Sequence, residues 1–250
     1  MQELELLIDA VTEAGRLATT LFRQSVRNWR KEDNSPVSDA DLAVNRLLQD
    51  RLTGARPDYG WFSEESDDGP ARLSASHVWV VDPIDGTRAF LKGGNQWCIS
   101  VGLVKDGRPI AAVVYRPMTN ELYAAVKGQG AKLNHLPLKT GTTSAVAGCR
   151  ILGASGIARR LPGCEIMPAA DLPLALRLCY VAQGLCDAFI AIGPKLDWDI
   201  CAGQLLVEEA GGIVTDLTGQ PCTYNREEIF QCGVIAANPV LHGECVRAMN

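Results

Sequence analysis

The sequence predicts an α+β fold, with an antiparallel sheet lobe over residues 1–140 and a smaller α/β lobe over 141–250. Two amphipathic helical patterns come first, a meander of strand-like stretches joined by a tight turn follows, and the remainder alternates strand-like and helix-like segments. At 250 residues and 47% hydrophobic content, the chain can bury a core and lies near the size at which one core begins to divide.

The first helix is read over residues 3–27, where Leu4, Leu7, Ile8, Val11, Ala14, Ala18, Leu21 and Phe22 recur at helical spacing. A polar Asn-Ser-Pro turn leads to Ser38 as N-cap, with Asp41 three positions later and an apolar stripe through Leu42, Leu47, Leu48 and Leu52. A capping box accounts for Asp41 in full. A carboxylate polarising a water accounts for it equally. Trp61 and Phe62 form a strand end carrying Glu64 and Glu65, and neighbouring strand side chains are expected to point to opposite faces.

Val78 to Val81 form a continuous apolar run, read as a strand buried on both faces. Pro83 is expected to end its pairing at Asp82, and Gly86 to permit a close approach before a short helix over Thr87–Lys92, stopped by Gly93 and Gly94. Strands follow at 98–104, 109–115 and 121–126, with Asp106-Gly107 turning the first hairpin. Beyond them come strand-like ILGAS, a helix over 173–183, a strand at 187–192, a helix beginning near Asp199 at or next to its N-cap, strand IVTD, and a last helix from Pro239 capped by Asn238.

A net charge of −5, from 24 basic and 29 acidic residues, provides no field for nucleic acid or an anionic membrane surface. No apolar run reaches the ~20 residues of a membrane helix, and the amino terminus lacks a basic leader, so a cytoplasmic location is expected. Nine cysteines without a C-x-x-C pair read as small buried apolar residues. The three scattered histidines form no H-E-x-x-H site, and no G-x-S-x-G elbow is present.

Asp82 and Asp85 follow an apolar strand and precede a Gly-Thr. That arrangement offers carboxylate oxygens to a cation and helix N–H groups to an anion, demands that a metal bridging to a phosphate satisfies together. A strand end and a helix cap are the structural alternatives. Glu64, Asp82, Asp85 and Asp199 all fall at the ends of apolar elements, and Asp41 falls at a helix start. Gathered in one cleft, so many acids repel one another unless cations lie between them, and an oxygen-only set selects Mg²⁺, or Mn²⁺ in its place.

SEES at 63–66, WVVDPIDGT at 79–87 and WD with AGQLLVEEAGG at 198–211 occur in this order. On these residues the chain resembles the magnesium-dependent, lithium-sensitive phosphatases that include inositol monophosphatase, 3′(2′),5′-bisphosphate nucleotidase and fructose 1,6-bisphosphatase. The resemblance implies an αβαβα layered sandwich with its site between the lobes. It implies two or three Mg²⁺ ions held by Glu64, Asp82, the Ile84 carbonyl, Asp85 and Asp199, with Asp41 reaching the weaker one through water. Asp85, Gly86 and Thr87 would contact the substrate, Gly86 and Thr87 at its phosphate, and Thr87 with Glu65 or Asp41 would orient the attacking water for in-line displacement. A homodimer is implied too. The D-P-I-D spacing, with proline between, differs from that of the haloacid dehalogenase class.

KEDNSPVSDAD, TRAFLKG and Gly193-Pro194 look most like the bacterial bisphosphate nucleotidases, implying a small phosphorylated metabolite, adenosine 3′,5′-bisphosphate, as substrate. Ile192 stands where inositol enzymes carry a glutamate. Leu172–Ala175 departs from the usual Gly-Ser/Thr-Ala, and Lys195 and Arg177 are candidates for a second phosphate. Inositol 1-phosphate and histidinol phosphate are the alternative substrates. A catalytically silent metal- or phosphate-binding regulator is the alternative of another class.

Overall fold

The computed structural model describes residues 2–22, 24–169 and 171–250. Six α-helices are present among them: α1 (Gln2–Phe22), α2 (Asp39–Ala55), α3 (Thr87–Leu91), α4 (Leu174–Ala182), α5 (Asp197–Glu209) and α6 (Pro239–Met249). A seven-stranded sheet runs in chain order through Gly60–Ser63, His77–Asp85, Cys98–Lys105, Arg108–Arg116, Glu121–Val126, Ala131–Leu133 and Leu136–Pro137. A five-stranded sheet has the order Glu165–Met167, Arg150–Gly153, Ala188–Ala191, Val234–Ala237, Ile213–Thr215.

Alternation along the strands builds the layers. Trp79 and Val81 join Ile99, Val101 and Val113 against α1 and α2 on one face of the large sheet. Val78 and Val80 join Ala112 and Val114 on the other face, against α4 and α5. That second cluster continues without a break into the small sheet through Leu152, Phe189 and Val234. The far face of the small sheet packs Ile151, Ile190 and Ile235 beneath Leu241 and Cys245 of α6. The result is the αβαβα order that the resemblance implies. Gly102 lets α5 lie close on the large sheet, since a Cβ there would meet Cys201 Sγ at 2.7 Å.

Several boundaries differ from the sequence reading, each for a local reason. The first helix ends at Phe22 rather than at residue 27. Gly60–Ser63 pairs parallel with His77–Asp85, the one parallel pairing in an otherwise antiparallel sheet. Residues 64–76 supply the crossover such a pairing needs. The His77–Asp85 strand does not stop before Pro83; a register shift between Asp82 and Asp85 accommodates the proline, and pairing resumes between Asp85 and Cys98. The caps expected at Ser38 and Asn238 form. Ser38 and Asp41 make a full capping box on α2, and Asn238 caps α6 by accepting from the Val240 and Leu241 N–H groups. No helix among the described residues is long and apolar enough to cross a membrane.

Candidate active site

The bulge at Pro83 turns the end of a buried strand into a ligand platform. Asp82 Oδ1 accepts from Ile84 N at 3.0 Å, which curls the backbone around its own carboxylate. Asp85 Oδ2 accepts from Ala175 N at 2.8 Å and so joins the platform to the start of α4. Gly86, at φ +100°, then turns the chain into α3; a Cβ there would lie 2.6 Å from Gln96 O. Only glycine fits this turn without displacing backbone.

Asp199 enters from α5. It occupies the third helical position, not the cap, which is Leu196. From there its carboxylate reaches back toward the Leu196 backbone, which lowers its pKa in part. One carboxylate oxygen from each of Asp82, Asp85 and Asp199 lies within 4.8 Å of the others. These three line a cavity of about 370 Å³ with Glu64, Ile84, Gly86, Thr87 and the Leu172–Leu174 segment. Glu64, Asp82 and Asp85 come from the first 140 residues and Asp199 from the rest.

Asp41 reaches the same place from α2. Its Oδ2 accepts from the Ser38 N–H at 2.8 Å, completing the capping box, while its Oδ1 accepts from Thr87 Oγ1 at 2.9 Å. Both readings of Asp41 can therefore hold together, one on each oxygen. Thr87 Oγ1 also lies 3.1 Å from Ile84 O. A hydroxyl has one hydrogen, so these two acceptors share it.

The electrostatics match a site built for cations. Burial, followed by the charges of Glu64, Asp85, Asp199 and Asp41, pushes the Asp82 carboxyl well above the usual carboxylate range. Burial and Asp85 do the same to Asp199. Burial pushes Asp85 up to about 7 against the lowering effect of its Ala175 hydrogen bond. Glu64, Asp82, Asp85 and Asp199 crowd one side of the cavity, and this oxygen-only set fits a hard divalent ion such as Mg²⁺ or Mn²⁺.

Glu64 and Glu65 do not point to opposite faces as a strand would require. The strand stops at Ser63, both glutamates lie in the following turn, and Lys31 Nζ pairs with Glu64 Oε1 at 2.9 Å and Glu65 Oε1 at 2.6 Å. Glu65 does not line the 370 Å³ cavity, and burial pushes its carboxyl up to about 7 despite Lys31. Lys195 also lies outside the cavity lining, its Nζ 3.0 Å from Pro194 O. Arg177 is committed to the segment before α4, donating to Leu172 O at 2.8 Å and Ala169 O at 2.9 Å. It thereby shapes the wall formed by Leu172–Leu174, which is apolar. Lys31, Arg88 and Asp171 escaped the sequence reading as site residues; the last two line the cavity as exposed charges. No spacing marks them, though Arg88 directly follows the Asp-Gly-Thr.

The raised carboxyls predict the pH dependence of the metal-free protein. A folded chain that keeps protons the unfolded chain has released loses stability as pH rises. For Asp85 and Glu65 that window runs from about 4, the ordinary carboxylate range, to about 7. His242, buried and held below its ordinary 6.5, acts in the opposite sense at acid pH, but it is a single group. The melting temperature of chelator-treated protein is therefore expected to fall between pH 5.5 and 7.5. A rise over that interval would contradict the assignment of these shifts.

A profile of the Inositol monophosphatase family matches residues 2–250. The 3′(2′),5′-bisphosphate nucleotidase CysQ of Aggregatibacter actinomycetemcomitans is 34% identical over 90% of this chain and 88% of its own. The inositol-1-monophosphatase of Rhizobium meliloti is 36% identical over 86% of each chain. Among solved structures, the extragenic suppressor protein SuhB of Bartonella henselae superposes with a TM-score of 0.87 at 27% identity, covering 100% of this chain and 99% of that one. Motifs, layered fold and whole-length match agree: the chain belongs to the inositol monophosphatase family.

Proposed function

We propose that the protein is a Mg²⁺-dependent phosphomonoesterase that releases phosphate from adenosine 3′,5′-bisphosphate to give AMP. The observation that carries the reading is the convergence of Asp82, Asp85 and Asp199 on a cavity that also contains the Gly86–Thr87 helix start. In this reading Glu64, Asp82, the Ile84 carbonyl, Asp85 and Asp199 hold the cation or cations. Such an ion would supply positive charge against an anionic ester and acidify water beside it.

The chain's own groups do the rest. Gly86 and Thr87 line the cavity at the start of α3, where backbone N–H groups suit phosphate oxygens. Thr87 Oγ1 accepts a hydrogen bond from the attacking water while its own hydrogen is shared between Asp41 Oδ1, 2.9 Å away, and Ile84 O, 3.1 Å away, which fixes the hydroxyl's direction. Asp41, its pKa raised by burial and lowered in part by Ser38 and Thr87, is suited to take up the proton that the water loses. Asp41 is preferred to Glu65 here because Glu65 is turned toward Lys31. The apolar Leu172–Leu174 wall limits water on one side.

The nucleotide is favoured by the likeness to CysQ and by Ile192, half-exposed, where a sugar-binding glutamate would stand in inositol enzymes. The Rhizobium relative makes inositol 1-phosphate the second substrate to test. Initial rates with Mg²⁺ on adenosine 3′,5′-bisphosphate, inositol 1-phosphate, histidinol phosphate and fructose 1,6-bisphosphate decide between them. The highest kcat/KM is expected for the nucleotide. Faster hydrolysis of inositol 1-phosphate would overturn the substrate choice, and no hydrolysis of any ester would favour a silent binding protein.

A further inference from the structure

We propose that Asn45 is a positioning residue that clamps the Glu64–Glu65 turn to α2 and thereby sets the cation affinity of the site. That role rests on the reading of Glu64 as a cation ligand. Asn45 is only 6% exposed, and its amide is spent on one short segment. Nδ2 donates to Glu65 O at 3.1 Å and to Ser66 Oγ at 3.0 Å, while Oδ1 accepts from Ser63 Oγ at 2.7 Å. A carbonyl only accepts, so Nδ2 must face Glu65 O and the amide has one orientation. Ser66 Oγ also accepts from Trp61 Nε1 at 2.9 Å, which closes a chain of side chains around the turn.

Two further features make this clamp consequential. Glu64 N donates to Val81 O at 3.1 Å, so the turn is tied on one side to the strand that carries Asp82. On the other side lies an open cavity of about 660 Å³, whose lining includes Asn45, Trp61, Glu65 and Ser66. Beside it the Asn45 hydrogen bonds, together with the Lys31 ion pairs to Glu64 and Glu65, hold the turn. Asn45 also stands four residues after Asp41, on the same face of α2. One helix therefore holds Thr87 through Asp41 and Glu64 through the Asn45 clamp, and it fixes the spacing between them. Groups that orient ligands in this way typically govern ~10–100-fold in metal affinity or activity.

The test is calorimetric titration of Mg²⁺ into wild-type, Asn45→Ala, Asn45→Asp and Glu64→Gln proteins, with kcat and KM measured at saturating Mg²⁺. Asn45→Asp keeps the acceptor for Ser63 but loses both donors. Each Asn45 variant is expected to bind Mg²⁺ ~10–100-fold more weakly, with kcat reduced and KM for the ester little changed. If Asn45→Ala does not fold, Ser66→Ala, which removes one partner of the clamp, is expected to weaken binding in the same direction by several-fold. Unchanged Mg²⁺ affinity in a folded Asn45 variant, with Glu64→Gln weakened, overturns the clamp alone. Unchanged affinity in Glu64→Gln overturns the reading of Glu64 as a ligand, and the clamp's role with it.

Discussion

Asp82→Asn is expected to lower phosphate release ~10³-fold or more, about 4 kcal/mol, and at the same time to raise the melting temperature of the metal-free protein. The two effects have one cause. Asp82 is buried, and its carboxyl is pushed far up by burial and by four neighbouring acids. At neutral pH a buried acid must either stay protonated or bear an unpaired charge, and both cost stability. An amide of the same shape costs neither, and its oxygen still accepts from Ile84 N. Each kcal/mol relieved corresponds to ~2–4 °C in a chain of this size. Conversely, the gain in melting temperature that Mg²⁺ gives the wild type should shrink in the variant. A variant that keeps its activity, or melts lower than wild type without metal, would contradict this account of the cluster.

Thr87→Val is expected to lower kcat by ~10²–10⁴-fold with little change in KM, because in the proposed mechanism the hydroxyl serves proton transfer rather than binding. Valine matches threonine in shape but leaves Asp41 Oδ1 without the 2.9 Å donor it has now. Loss of that bond should also destabilise the fold, by ~1–3 kcal/mol. Thr87→Ser keeps the oxygen and should retain most of the rate. Equal rates for the valine and serine variants, measured at saturating Mg²⁺, would remove Thr87 from the chemistry.

What the sequence made legible was local. The capping box at Ser38 and Asp41, the Asp106-Gly107 hairpin and the apolar run before Asp82 each follow from a few adjacent residues. Asp82 and Asp85 were visible because a strand end, a proline and a glycine surround them. The direction of Glu64 and Glu65 was not, since it depends on the strand ending at Ser63, one residue earlier than the apolar pattern alone can fix. Asp199 lies near the helix start that the sequence predicts, but the cap lies three residues before it because Asp197 and Trp198 already belong to the first turn of α5. Lys31 and Asn45 could not be found locally at all. Their partners are 33 and 20 residues away in the chain, and no spacing rule connects them.

The most direct measurement of the central claim is an anomalous difference map from crystals of this protein grown with Mn²⁺. A peak within coordination distance of Asp82, Asp85 and Asp199 carboxylate oxygens, absent from crystals of Asp82→Asn, is the predicted result. A map with no peak among those three carboxylates at a Mn²⁺ concentration that supports hydrolysis would contradict it.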